Sequence, residues 1–130
     1  MKHALIIGCG YLGKRVGSRL LEWGARVTAT TTRPERLAEL AGLGFEPAVL
    51  DLEAPNDTPI WEADPDAVVY SVAPGRAGDP GVGFRDGALD SATRLIEAGL
   101  APGAFVFVSS TGVYHQRDGS RVDEASPARP

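Results

Sequence analysis

Cysteine is almost missing from this chain. Cys9 stands alone among 130 residues, so no internal disulfide can form. That accords with a reducing compartment, and a cytoplasmic location is the expectation. Positive charge is also in short supply: 13 Lys and Arg face 17 Asp and Glu, a net charge of -4. A nucleic-acid surface needs concentrated Lys and Arg, so no nucleic-acid partner is expected. An anionic small molecule is a different case, because backbone N–H groups and one or two arginines suffice as a local site. No apolar run approaches the roughly 20 residues of a membrane helix. The apolar run near the start, Ala4-Leu5-Ile6-Ile7, is too short even for a signal-peptide core. No membrane partner and no metal site are expected. The chain has no internal repeat and no low-complexity block.

What is present alternates. With 43% hydrophobic and 23% charged residues the composition is that of one soluble domain, and 16 Gly and 10 Pro imply many tight turns. Ala4 to Ile7 is wholly apolar, as in a parallel strand buried on both faces. Gly8 to Gly13 is a glycine-rich turn. Tyr11 to Trp23 has helical spacing, with Leu12, Val16, Leu20 and Trp23 on one expected face and Gly24 at the cap. Arg26 to Thr31 is a β-branched second strand. A helix over Pro34 to Ala41 follows, with Pro34 at its start, Leu37, Leu40 and Ala41 inward, and Gly42 and Gly44 as breakers. Phe45 to Leu50 is the third strand. Pro55, Pro59 and Pro65 make the next crossover mostly loop.

Ala67 to Val72 is the fourth strand, Ala73 to Gly83 a Gly/Pro loop, and Phe84 to Leu100 a helix with Leu89, Ala92, Leu95 and Ile96 facing the sheet. Ala104 to Val108 is the fifth strand, capped by Ser109-Ser110-Thr111. Strands joined by helices imply right-handed crossovers and a parallel sheet. The expected fold is α/β, a Rossmann-type three-layer sandwich with strand order 3-2-1-4-5 and its ligand where the order reverses. Residues 1–114 are expected to form the domain built on this sheet. Residues 115–130 read as a polar, Pro-rich tail leading toward a missing C-terminal substrate segment.

Gly8-Cys9-Gly10-Tyr11-Leu12-Gly13 is G-x-G-x-x-G between an expected strand and an expected helix, the context a dinucleotide fingerprint requires. Gly8 permits the tight turn, Gly10 lets the backbone approach a pyrophosphate, and Gly13 brings helix and strand close. The helix N-terminus offers free N–H groups and partial positive charge. Leu12 completes the binding loop. Tyr11 either leans over the phosphates or covers the loop, and Cys9 is a small apolar filler.

An NAD site usually carries Asp or Glu at the end of the second strand. Here Thr30, Thr31, Thr32 and Arg33 occupy that place. Thr31 and Arg33, with Arg36 assisting, suit a 2′-phosphate, so NADP is expected ahead of NAD. The alternative for Arg33 is a solvated charge before a helix. Asp51 and Leu52, after the third strand, are assigned to the adenine edge, with a turn or helix cap as the alternative for Asp51.

Phe105 to Tyr114, with Ser109-Ser110-Thr111-Gly112-Val113-Tyr114, resembles the V-S-S-x-x-V-Y segment of extended short-chain dehydrogenases, the NAD-dependent epimerase/dehydratase family. Gly119, Val122, Asp123-Glu124 and Ser126-Pro127 resemble that family's G-x-x-V-x-E-x-(S/T)-P continuation. Together with the glycine loop and Val72-Ala73-Pro74, the pattern is most similar to the atypical YeeZ-like branch, its N-terminal part only. The resemblance implies a nicotinamide dinucleotide and a small-molecule substrate, often a nucleotide-sugar, oxidised, reduced or epimerised at a carbon bearing oxygen. It places the substrate-orienting hydroxyl on Ser110, with Thr111 as runner-up, although strand capping also accounts for Ser110. Ala73 and Pro74 would pass the ribose and linking phosphates, with a plain loop turn as the alternative. Tyr114 packs beneath its loop, and His115 stands where the family has Gly and reads as a surface residue.

The family's Tyr-x-x-x-Lys does not occur in these 130 residues. Two readings therefore stand: an oxidoreductase or epimerase/dehydratase, incomplete as an enzyme, or a non-catalytic NADP-binding sensor or interaction module. An uncovered sheet edge makes a homo-oligomer a further expectation.

Overall fold

The computed structural model describes residues 1–51, 64–72, 92–108 and 115–127. Five strands form one parallel sheet: β1 (His3–Ile7), β2 (Arg26–Thr31), β3 (Glu46–Val49), β4 (Ala67–Tyr70) and β5 (Ala104–Phe107). Their order is β3-β2-β1-β4-β5, as the alternating pattern predicts. The order reverses at β1, which places its carboxyl end at the topological switch point.

The apolar run of β1 serves both faces, because successive side chains point to opposite sides. Ala4 and Ile6 join Val27, Ala29, Leu20, Leu40 and Phe45 in one core. Leu5 and Ile7 join Val68, Tyr70, Ala92, Leu95 and Leu100 in the other. Helices α1 (Tyr11–Glu22) and α2 (Leu37–Gly42) cover the first core, with α2 entered through a 3-10 turn at Pro34–Arg36. A third helix, α3, is described over residues 92–97 and covers the second. The result is three layers.

The inward stripe of α1 differs from the expected one. Leu12 and Trp23 are exposed, at 42% and 73%. The buried positions are Gly13, Gly17 and Leu20, with Val16 partly buried beside them. Glycine carries no hydrophobic label, so this face is silent in a hydrophobic pattern. A Cβ at Gly17 would lie 2.7 Å from the Phe45 ring and 3.0 Å from Ile6 Cδ1, so the helix sits as low on the sheet as Phe45 permits. Ala41 and Ile96 also face outward rather than inward. Gly42 is still helical, and the left-handed turn falls at Gly44, with φ 93°.

At the amino edge, Asp66 ties β1 to β4. Its Oδ2 accepts the N–H groups of Lys2 and His3, both at 2.8 Å, and its carbonyl accepts the Ala104 N–H at 2.9 Å. On the second core's face, Tyr70 stacks on Phe107 and Phe105 at 5.3 and 6.2 Å between centroids. Residues 115–127 are largely exposed, and the His115 N–H donates to the Pro127 carbonyl at 3.0 Å. No helix among the described residues is long and apolar enough to cross a membrane.

Two measurements check this packing. Gly17→Val should cost about 1–3 kcal/mol by overpacking against Phe45, lowering Tm by several degrees, and Phe45→Leu in the same chain should restore part of the loss. The backbone N–H of His3, then that of Lys2, hold the Asp66 carboxyl below the ordinary carboxylate range. A depressed native pKa gives stability that is complete above the unfolded value and is lost as pH falls through the native one. Asp66→Asn should therefore lower Tm at neutral pH, and the gap should close as the pH falls below the ordinary carboxylate range. A gap independent of pH contradicts this role.

Candidate functional site: a cleft between the glycine loop and the end of the second strand

The main chain leaves β1 through a turn that only glycine adopts readily. Gly8 has φ 81°, and a Cβ there would lie 2.7 Å from the Ser71 carbonyl oxygen at the end of β4. The Gly8 N–H donates to Thr30 Oγ1 at 3.0 Å, and the Cys9 N–H donates to the Thr30 carbonyl at 2.8 Å. Thr30 is 1% exposed, so β2 holds the loop from beneath with both a side chain and a carbonyl. Gly13 lies over Ile6, whose Cγ2 would be 3.0 Å from an added Cβ.

Gly10 is different. Among the described residues, a Cβ added there would meet nothing within 4 Å. The packing of the described residues does not require this glycine; they leave the space beside it open. Gly10 is also the N-cap of α1, which has no side-chain cap and no acidic residue in its first turn. The first N–H groups of a helix lack intrahelical acceptors, and its N-terminus carries partial positive charge. Open space beside an uncapped helix end is suited to an anion.

A cleft of about 370 Å³ begins at Gly10 and is lined also by Tyr11, Lys14, Thr31, Thr32, Arg33, Arg36 and Glu39. Local chemistry shapes its far wall. Arg33 precedes Pro34 and is extended, as a residue before proline must be. Its N–H donates to Thr31 Oγ1 at 3.1 Å, and its carbonyl accepts the Arg36 N–H at 3.0 Å, which opens the 3-10 turn. Both arginines are thereby brought to the end of β2.

Lys14 Nζ meets Glu39 Oε1 at 2.9 Å, and Arg36 Nε meets Glu39 Oε2 at 3.3 Å. These hydrogen bonds, Lys14's first, hold the Glu39 carboxyl below the ordinary carboxylate range. Arg33 has no ion-pair partner among the described residues. Tyr11 is 73% exposed, with the Arg15 guanidinium 4.5 Å from its ring centroid. Burial pushes the Cys9 thiol up, which makes it a poor nucleophile.

Five sequence candidates thus meet in one cleft: Gly10, Tyr11, Thr31, Arg33 and Arg36. Gly8 and Gly13 shape the loop beneath it. Leu12 faces outward and does not line it. Asp51 is exposed just past Leu50, whose N–H donates to the Thr31 carbonyl at 3.0 Å, and it also does not line the cleft. Leu52, Ala73, Pro74, Ser110 and Thr111 lie outside the described residues. Lys14 and Glu39 were not anticipated. Lys14 had a usable cue, one helical turn past Gly10. Glu39 had none, since its partner Lys14 is 25 residues away.

No protein-family model matches the chain. It is 30% identical, over its whole length, to Protein YeeZ of Escherichia coli strain K12 and of strain O157:H7. It spans about half, 48%, of the length of these curated relatives. A functionally unknown conserved protein from Silicibacter pomeroyi superposes with TM-score 0.73 and 26% identity, covering 100% of this chain and 42% of the other. A short-chain dehydrogenase/reductase superfamily protein from Agrobacterium tumefaciens, solved with bound NAD, superposes with TM-score 0.71 and 28% identity over 98% of this chain and 39% of the other. The chain is thus homologous over its whole length to part of YeeZ, and its fold is that of the short-chain dehydrogenase/reductase structure it superposes on.

Proposed function

We propose that this chain binds a nicotinamide dinucleotide at the carboxyl edge of β1 and β2, and that the dinucleotide is NADP rather than NAD. The observation that carries the reading is the cleft itself. It runs from the open face of Gly10 to Arg33, with Lys14 and Arg36 on its walls and no carboxylate at the end of β2. The residues present fit such a cofactor. The uncapped end of α1 and the bare Gly10 suit the diphosphate, and Arg33, Arg36 and Thr31 suit a 2′-phosphate. NAD bound to the Agrobacterium relative supports the dinucleotide class.

When bound, the nicotinamide supplies or accepts hydride. The protein part is geometric. Ser110 follows Val108 by two positions, and the Val108 N–H still pairs with the Tyr70 carbonyl at 2.9 Å, which extends the β4–β5 run toward the carboxyl edge. On this reading Ser110, seconded by Thr111, orients the oxygen of a carbonyl or alcohol carbon, with nucleotide-sugars among the candidate substrates. Ala73 and Pro74 follow β4 in sequence, and Asp51 and Leu52 follow β3; on this reading the first two pass the ribose and linking phosphates and the last two meet the adenine. Turnover of carbonyl substrates by the whole protein tests the catalytic part of this reading.

The test of the cofactor is a binding titration with both coenzymes. Arg33→Ala should weaken NADPH about tenfold or more, as expected for a lost charged hydrogen bond, and NADH by less than about twofold. Equal losses would remove Arg33 from the 2′-phosphate.

A further inference from the structure

Glu39 takes no part in shaping the glycine loop, yet both of its carboxylate oxygens are engaged at the cleft. One reaches Lys14 on α1 at 2.9 Å, and the other reaches Arg36 at 3.3 Å. Two of the three cations lining the cleft are therefore held by one acidic residue, and Arg33 alone is left unpaired among the described residues. The three side chains are partly exposed, at 36% for Lys14, 23% for Arg36 and 46% for Glu39, so each has room to exchange partners. Tyr11, Lys14 and Glu39 also line a neighbouring groove of about 630 Å³ between α1 and α2. The Lys14–Glu39 pair is the partition between the two spaces.

We propose that Glu39 sets coenzyme selectivity as a resident competitor: its carboxylate occupies Lys14 and Arg36, and a 2′-phosphate must take those two cations from it. The proposal rests on reading the cleft as the 2′-phosphate site. A phosphate dianion and the Glu39 carboxylate seek the same donors and repel each other. Glu39 thus lowers the gain from a 2′-phosphate without touching a ligand that lacks one. Its opposite role, holding Lys14 and Arg36 in place for the phosphate, would change affinity in the other direction, so the sign of the effect decides.

The experiment is calorimetry on the full chain with 2′,5′-ADP and 5′-AMP, which differ by the phosphate in question. Glu39→Gln keeps the side-chain shape and removes its charge. It should tighten 2′,5′-ADP about fivefold to tenfold while leaving 5′-AMP within about twofold. The gain should shrink in about 0.5 M salt, where exposed charges are screened. Glu39→Ala, measured beside it, should show the same direction, with circular dichroism establishing that both variants fold. If the unaltered chain prefers 2′,5′-ADP but neither variant gains, or both lose affinity, the competitor role is overturned and the cofactor reading stands. If neither the unaltered chain nor Glu39→Gln prefers 2′,5′-ADP over 5′-AMP, the NADP reading falls and this proposal with it.

Discussion

The grip of Thr30 on the loop after β1 is the constraint on which the rest of the site depends. The Gly8 N–H finds the Thr30 hydroxyl, the Cys9 N–H finds the Thr30 carbonyl, and Gly8 turns through positive φ against the end of β4. Three adjacent strands therefore fix one turn: β1 supplies it, β2 holds it and β4 limits its height. An unsatisfied buried N–H costs about 1–3 kcal/mol, so these bonds also define where α1 can begin. Once α1 begins at Tyr11, its uncapped N-terminus and the space beside Gly10 follow.

Close packing of α1 is the second requirement. Gly13 over Ile6 and Gly17 over Phe45 let the helix lie low, and that draws Lys14 into reach of Glu39 on the neighbouring α2. The same short distance that packs the core sets the electrostatics of the cleft. Pro34 does comparable work on the other wall: it keeps Arg33 extended and starts the turn that carries Arg36. On the proposed reading, the backbone makes the site fit for an anion and the charged side chains adjust it.

Much of this was legible in the sequence. β2 runs from Arg26 to Thr31 as its β-branched residues predict, β1 differs by one residue at its start, and the strand order follows from alternation of strand and helix. Strand ends were less legible, because β3 and β4 stop where pairing stops rather than where apolar residues do. The buried face of α1 was misread for a physical reason: periodicity registers side chains, and two of its three buried positions are glycine. Trp23 is large and apolar but stands at the C-cap, where the helix no longer faces the sheet. In the cleft, Gly10 and Arg33 were visible through local motif and position. The Lys14–Glu39 pair was not, because it is made by the packing of two helices and has no local pattern.

The central claim is that the opening beside Gly10 exists for a diphosphate and not for the fold. Affinity of folded Gly10→Val for ADP-ribose, which carries the diphosphate without a 2′-phosphate or nicotinamide, tests it most directly. The account predicts a stability within about 1 kcal/mol of the unaltered chain, since an added Cβ meets no neighbour there among the described residues, together with at least about a tenfold loss of binding. A folded Gly10→Val that binds ADP-ribose as well as the unaltered chain does would contradict it.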